Sequence, residues 1–439
     1  MKTTRFHSAA APAAALAVAG ALVLAGCSAG EPAAPEQTDS GGKITVWVDP
    51  PRVPAAEAFQ EAYPDIEIDV VQIDGTVGGK TVKQSFANFD AAGSGWPDAI
   101  FFPSNDDIAW ATSSSSNYAA DLTDLLPEVI ADYDPAVLSF CEFDGRIRCL
   151  RNDAAPDVFW YNKAFFDDNG YTVPTTWEEY GDLAVEIAAE HPEKISGFLG
   201  DAYGINRYLQ ASGCPTNERV SESEAHIDLS DPNCVRVTEL LAKMYDGGAL
   251  STQGIFDGDA AAAGVNLVMS PGAVWWGNYL FRDTWKIPAD EMSAVAPLAW
   301  EGESEPSAGN EGGGLWGVSS HITGKQLENA LTFATFVNTD PRWQVELSTG
   351  LPGYGPIQDD WLEKLEADGY MADVATVQSA FKEAAAAVEP YSYMLYDTGS
   401  VWTETVSPTL ISGGSMQDAI DAFGEELVNQ AKSVGYTVQ

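Results

Sequence analysis

The chain has 439 residues, 45% apolar and 20% charged, a globular composition with length for two or three domains of about 150 residues each. Acidic residues outnumber basic ones, 65 to 22, for a net charge of −43. A surface that acidic repels phosphate backbones and anionic lipid headgroups, which argues against a nucleic-acid binder or a basic-patch membrane binder. The 13 tryptophans are many for a soluble chain and can serve a core, an interface or a sugar-binding cleft.

Residues 1–26 read as a leader and not as part of the fold. Lys2 and Arg5 form a short basic region, and Ala9 to Ala25 is an apolar run too short and too alanine-rich for a spanning helix. Leu24-Ala25-Gly26-Cys27 resembles the bacterial lipoprotein signal, which implies cleavage before Cys27, lipidation of Cys27 and export. An ordinary secretory leader with an incidental cysteine is the other reading. Residues 27–42, rich in Pro, Gly, Ala, Ser and Glu, cannot build a core and read as a flexible tether.

The remaining cysteines, Cys141, Cys149, Cys214 and Cys234, allow three pairings. Proximity in the chain favours Cys141 with Cys149 and Cys214 with Cys234, as suits an oxidising compartment. A metal site needs clustered ligands. These spacings are too wide, and His191, His226 and His321 are scattered, so no metal is expected.

Structure is expected to begin at Lys43–Val48, where Ile44, Val46 and Val48 alternate as in a strand. A helix over about 54–62, a strand over 66–71, a helix over 80–91 and a strand over 98–102 follow. Strand, helix, strand, helix, strand is the rhythm of an α/β lobe with a mostly parallel sheet. Further strand-like pieces fall between Asp144 and Tyr161. Thr176 and Glu179 form a capping box, after which Tyr180, Leu183, Ala184 and Ile187 mark one helix face. Leu327, Leu331 and Ala334 mark a later helix, and Ile420, Phe423 and Leu427 a last one starting at Ser415. Residues 301–314 read as a loop.

Catalytic templates fail on context. Gly26-Cys-Ser-Ala-Gly30 fits a hydrolase elbow but straddles the leader junction without a strand–turn–helix setting. Gly75-Thr-Val-Gly-Gly-Lys-Thr81 is one residue short of a phosphate loop. Carboxylates are so abundant that glycosidase-like pairs arise at any spacing. No enzyme and no cofactor are expected.

A distributed set of motifs carries more. Ile44-Thr-Val-Trp47, Gly95-Trp-Pro-Asp-Ala-Ile-Phe101, Trp160-Tyr-Asn-Lys163 with Phe165 and Phe166, Pro174-Thr-Thr-Trp-Glu-Glu179 and Gly312-Gly-Gly-Leu-Trp-Gly-Val-Ser319 occur in order along the chain. Together they resemble the sugar-binding family of extracellular solute-binding proteins of ABC importers, which includes maltose-binding protein. The family's alanine-containing helix is blurred here into Ala260–Gly264, which loosens the alignment around Trp275. The resemblance implies an α/β, two-lobed periplasmic-binding-protein-like (type II) fold, each lobe a mainly parallel sheet flanked by helices, with hinge closure over a ligand. It implies lobe one at 43–153 plus 298–349 and lobe two at 154–297 plus 350–439, with crossings near Ala154, Pro297 and Gly350.

Strand ends and the loops after them face the cleft in open α/β sheets, which favours Asp49, Arg52, Asn105, Asp106 and Asp153 as ligand-binding residues. Carboxylates and amides suit adjacent sugar hydroxyls, and Arg52 adds planar donors. Trp47, Trp160 and Trp177 are assigned to core or capping. The resemblance implies cleft tryptophans at Trp276 and Trp402, with Trp275, Trp316, Tyr354, Trp96 and Phe102 as weaker candidates. The implied function is capture of an oligosaccharide or glycoside by a monomeric lipoprotein at the outer face of a Gram-positive membrane, for delivery to a permease. A polyol or glycerophosphodiester is the alternative ligand class, and a surface glycoside hydrolase the rival activity.

Overall fold

A computed structural model describes residues 37–73, 80–102 and 105–439. The leader 1–26, Cys27, the Gly26–Gly30 pattern and the Gly75–Gly79 turn lie outside the described residues. Strand Ile44–Val48 forms with Ile44, Val46 and Val48 buried. Strands Ile68–Gln72 and Ala99–Phe102 flank it in parallel, and helices Val53–Ala62 and Lys80–Ala92 provide the crossovers that parallel pairing requires. Leu315–Val318 returns from far along the chain to pair antiparallel with Ala99–Phe102, and Leu150–Arg151 completes a five-stranded sheet. Helix Gly324–Thr339 covers this sheet, with Phe333 and Phe336 packed 5.0 and 5.4 Å from Phe59.

The second lobe is built on Asp157–Asn162, flanked by Met269–Ala273 and Met292–Val295. Val158, Phe159, Trp160 and Tyr161 are all buried, as a central strand demands. Both neighbours run antiparallel to it, so the expected mainly parallel sheet is found in the first lobe and not here. The connection explains this. After Asn162 the chain makes a long helical excursion and re-enters beside the end it left, with Met269 opposite Tyr161. Helix Trp177–Glu190 opens on the Thr176–Glu179 capping box and buries Tyr180, Ala184 and Ile187. The last helix, Met416–Ser433, opens on a second box of Ser415 and Asp418 and buries Ile420, Phe423 and Leu427. Disulfides join Cys141 to Cys149 and Cys214 to Cys234.

Three stretches run side by side between the lobes. Asp153–Ala154 pairs antiparallel with Leu351–Pro352, and Pro156 bridges Asn310, with Asp153, Asp157 and Glu311 tied by backbone hydrogen bonds to Gly313, Gly309 and Ala155. Gly312, Gly313 and Gly314 adopt φ of +81°, +90° and +43°, a region that resists side chains. A Cβ at Gly313 would meet Arg151, and one at Gly314 the ring of Phe101. The return crossing is therefore Gly309–Gly314 and not Pro297. Leu298 and Trp300 are still buried in the second lobe, with Trp300 stacked 5.9 Å from Trp177.

The tether also departs from expectation at its end. Thr38 accepts from the Thr323 N–H and donates to the His321 carbonyl, and the Asp39 carboxylate accepts from the backbone N–H of Lys325 and Gln326 at 3.3 Å each. The reason lies in helix Gly324–Thr339, whose own N-cap Thr323 makes no side-chain bond. Asp39 serves the unsatisfied first-turn donors from outside the helix.

Candidate functional site

The end of the first strand delivers Asp49 and Arg52. Asp49 is buried and accepts from Arg52 Nη1 at 3.2 Å, while its Oδ1 has no partner among the described residues. Burial raises its carboxyl pKa, and the Arg52 charge opposes that rise. The Arg52 guanidinium lies 4.2 Å over the Phe101 ring. After strand Ala99–Phe102, Asn105 Nδ2 donates to the Gly312 carbonyl at 2.7 Å and to Tyr393 Oη at 2.8 Å, leaving its Oδ1 buried and unpartnered among the described residues. Asp153 is buried in the crossing, accepting from Asn152 Nδ2 at 2.6 Å and packed against Gly350.

Between the lobes lies a small cavity of about 50 Å³ that opens to solvent at its mouth. Asn105 and Asp106 line it from the first lobe, Tyr203, Asn206 and Thr398 from the second, and Asn310 and Gly312 from the return crossing. Tyr203 links this polar cavity to an aromatic wall. The Trp275 ring sits 6.0 Å from Tyr203, from Tyr279 and from Phe256, the last almost parallel at 9°. Trp275 Nε1 donates to the Glu311 carbonyl at 2.8 Å, which fixes the indole to the crossing. Phe256 is 50% and Tyr279 39% exposed.

Trp275 and Trp276 divide between wall and core for a geometric reason. Neighbours in a helical segment point about 100° apart, so adjacent side chains can meet different surroundings. Trp276, at the start of segment Trp276–Thr284, is 0% exposed. Its Nε1 donates to Glu311 Oε2 at 3.0 Å, and the Arg207 guanidinium lies 4.8 Å from its ring. Arg207, also fully buried, pairs with Glu311 at 2.8 Å and Asp201 at 3.1 Å. Burial pushes the Glu311 carboxyl up to about 7 against the pull of Arg207. Asp157, beside this group, has no partner for either oxygen among the described residues, and burial together with the Glu311 charge raises its pKa well above the carboxylate range.

Several expected site residues are placed elsewhere. Trp276 and Trp402 are both core. The Trp402 indole donates to the Leu199 carbonyl at 2.8 Å and fills the space left by the absent side chain of Gly204. Trp316 is buried in the first lobe, donating to Asn152 Oδ1 at 2.9 Å. Tyr354 is engaged with Asp132 at 2.7 Å and packs on Tyr133. Trp96 stacks 3.8 Å from His321 and donates to Asp90, and Phe102 is core. Asp106 does reach the cavity, but its oxygens already accept from Met394 and Thr398. Burial, reinforced by Asp397, pushes its carboxyl up to about 7.

Tyr203, Phe256, Tyr279 and Asn310 were not expected. Their signal in the sequence is faint, since they lie on separate stretches and only contact with Trp275 or the crossing unites them. Chemically, the arrangement offers flat apolar surface next to hydrogen-bonding groups in a partly enclosed cleft, which suits a polyhydroxylated ring whose C–H faces are apolar and whose rim is polar.

The sequence model of the family described as bacterial extracellular solute-binding protein matches residues 48–341. A multiple sugar-binding protein of Streptococcus mutans is 25% identical over 198 residues, 41% of this chain and 44% of that protein, so the match spans less than half of that relative. Among solved structures, an ABC-transporter-associated binding protein from B. animalis subsp. lactis, in complex with beta-1,6-galactobiose, superposes with a TM-score of 0.73 at 20% identity, covering 91% of this chain and 99% of that one. The galacto-N-biose-/lacto-N-biose I-binding protein of an ABC transporter from Bifidobacterium longum, in complex with lacto-N-biose, gives a TM-score of 0.73 at 17% identity, covering 91% and 100%.

Proposed function

We propose, from the premise that this chain belongs to the family of bacterial extracellular solute-binding proteins, that it captures an oligosaccharide or glycoside between its lobes and delivers it to an ABC permease. The observation that carries this reading is the continuity of the Trp275 wall with the polar cavity through Tyr203. Stacking on the wall covers a pyranose face, while Arg52, Asp49 and Asn105 Oδ1, unpartnered among the described residues, engage its hydroxyls. The complexes of the two structural relatives with beta-1,6-galactobiose and lacto-N-biose support a ligand of disaccharide size or longer.

A thermal-shift screen over mono- and oligosaccharides tests the reading. Binding stabilises by RT ln(1 + [L]/Kd), about 2.7 kcal/mol at 100-fold excess over Kd, and the sugar should be recovered intact. A polyol that shifts the melt when no sugar does would replace the ligand class, and shortened oligosaccharides would indicate a hydrolase. Retention at the outer membrane face through lipidated Cys27 is part of the same proposal. Cys27→Ala should release a folded monomer to the medium, and unchanged membrane association would contradict the anchor.

A further inference from the structure

We infer that Asp106 is an interlobe latch that sets how long a captured ligand is held, rather than a ligand contact. The inference rests on the capture function proposed above. Asp106 begins helix Asp106–Thr112 in the first lobe and is 7% exposed. Among the described residues, all the hydrogen bonds its carboxylate accepts come from the second lobe: the Met394 N–H at 3.0 Å, the Thr398 N–H at 3.1 Å and Thr398 Oγ1 at 3.3 Å. Thr398 is the first residue of the 14-residue helix Thr398–Ile411. That helix is rooted in the second lobe by Trp402, which packs on Phe423 at 5.3 Å.

The contact is built on both sides. Asp397 caps the same helix by accepting from the Ser400 N–H at 2.8 Å, so Asp106 satisfies a different first-turn donor. The Thr398 hydroxyl also meets Tyr391 Oη, which holds it toward the interface. Beneath, Lys83 lies 3.3 Å from Asp107 and brings positive charge to the acidic pair. Next door, the Asn105 side chain donates to Tyr393 Oη at 2.8 Å. Separating the lobes strips a buried carboxylate of all three donors at once. Asp106 sits at the cavity itself, so closure and ligand retention share this contact.

Three variants test it in the full chain: Asp106→Asn, Thr398→Val, and both together. Hydrogen exchange by mass spectrometry over residues 394–398, without sugar, should show the Met394 and Thr398 amides exchanging at least about 10-fold faster in Asp106→Asn, with the rest of both lobes unchanged. With a bound oligosaccharide, stopped-flow dissociation should be about 10-fold faster or more. The double variant should be no faster than Asp106→Asn alone, because both changes break one contact. Unchanged exchange at 394–398 would overturn the latch. Dissociation effects that add across the two sites would also overturn it, and would make Asp106 a ligand contact. If no sugar binds, the exchange experiment still decides the latch, and only the capture reading fails.

Discussion

Replacing Trp275 and Trp276 one at a time separates ligand stacking from core packing at two adjacent positions. Trp275 is partly exposed, with Phe256, Tyr203 and Tyr279 against it and Nε1 held by the Glu311 carbonyl. A sugar ring laid on its exposed part would remove about 60–80 Å² of apolar surface from water, worth about 1.5–2.5 kcal/mol at 25–30 cal/mol/Å². Trp275→Ala should therefore weaken the cognate sugar by about 10- to 70-fold and change the ligand-free melting temperature little. Trp276 is 0% exposed and satisfies Glu311 Oε2 at 3.0 Å. Trp276→Ala should cost about 3–5 kcal/mol of stability as a large buried aromatic lost, with a further penalty for the unpaired carboxylate oxygen. Calorimetric titration for affinity and denaturant unfolding for stability read the two effects independently. If Trp275→Ala unfolds the protein, or binds sugar as tightly as wild type, the assignment of wall and core is wrong.

Other consequences follow from buried and borrowed polar groups. Asp39→Ala should lower stability by about 0.5–2 kcal/mol, the usual value of a helix cap, whereas Thr323→Ala should be nearly neutral because its side chain caps nothing. Denaturant melts of the two variants provide the check, and equal losses would refute the borrowed cap. Asp157 has its folded pKa raised by burial and then by Glu311, so it stays protonated in the fold after the unfolded chain has ionised. Its contribution to stability is therefore lost as pH rises above the ordinary carboxylate value, by up to about 1.4 kcal/mol per pH unit until the folded group also ionises. Asp157→Asn should stabilise more at pH 7 than at pH 4.5 in thermal melts, and a gain that shrinks with rising pH would contradict this.

Regular elements were legible because local chemistry writes them. Alternation at Ile44, Val46 and Val48 and the Thr176–Glu179 box are satisfied within a few residues of themselves, and both are present as read. Residues 301–314 read as a loop because the glycines of Gly309–Gly314 are explained by Asn206, Arg151 and Phe101, all distant in sequence. The same limit applies to the adjacent tryptophans. Which of Trp275 and Trp276 faces inward depends on helix phase at an irregular segment, and composition carries no phase. Asp106 was legible as a strand-end carboxylate, but Met394 and Thr398, which occupy it, lie nearly three hundred residues away.

The central claim is capture of a sugar in the interlobe cleft, and titration calorimetry against disaccharides and longer oligosaccharides tests it most directly. The account predicts one site per chain for at least one sugar, with Kd of about 1 μM or tighter, and intact sugar after incubation. No binding by any sugar at millimolar concentration, or binding that survives Trp275→Ala undiminished, would contradict it.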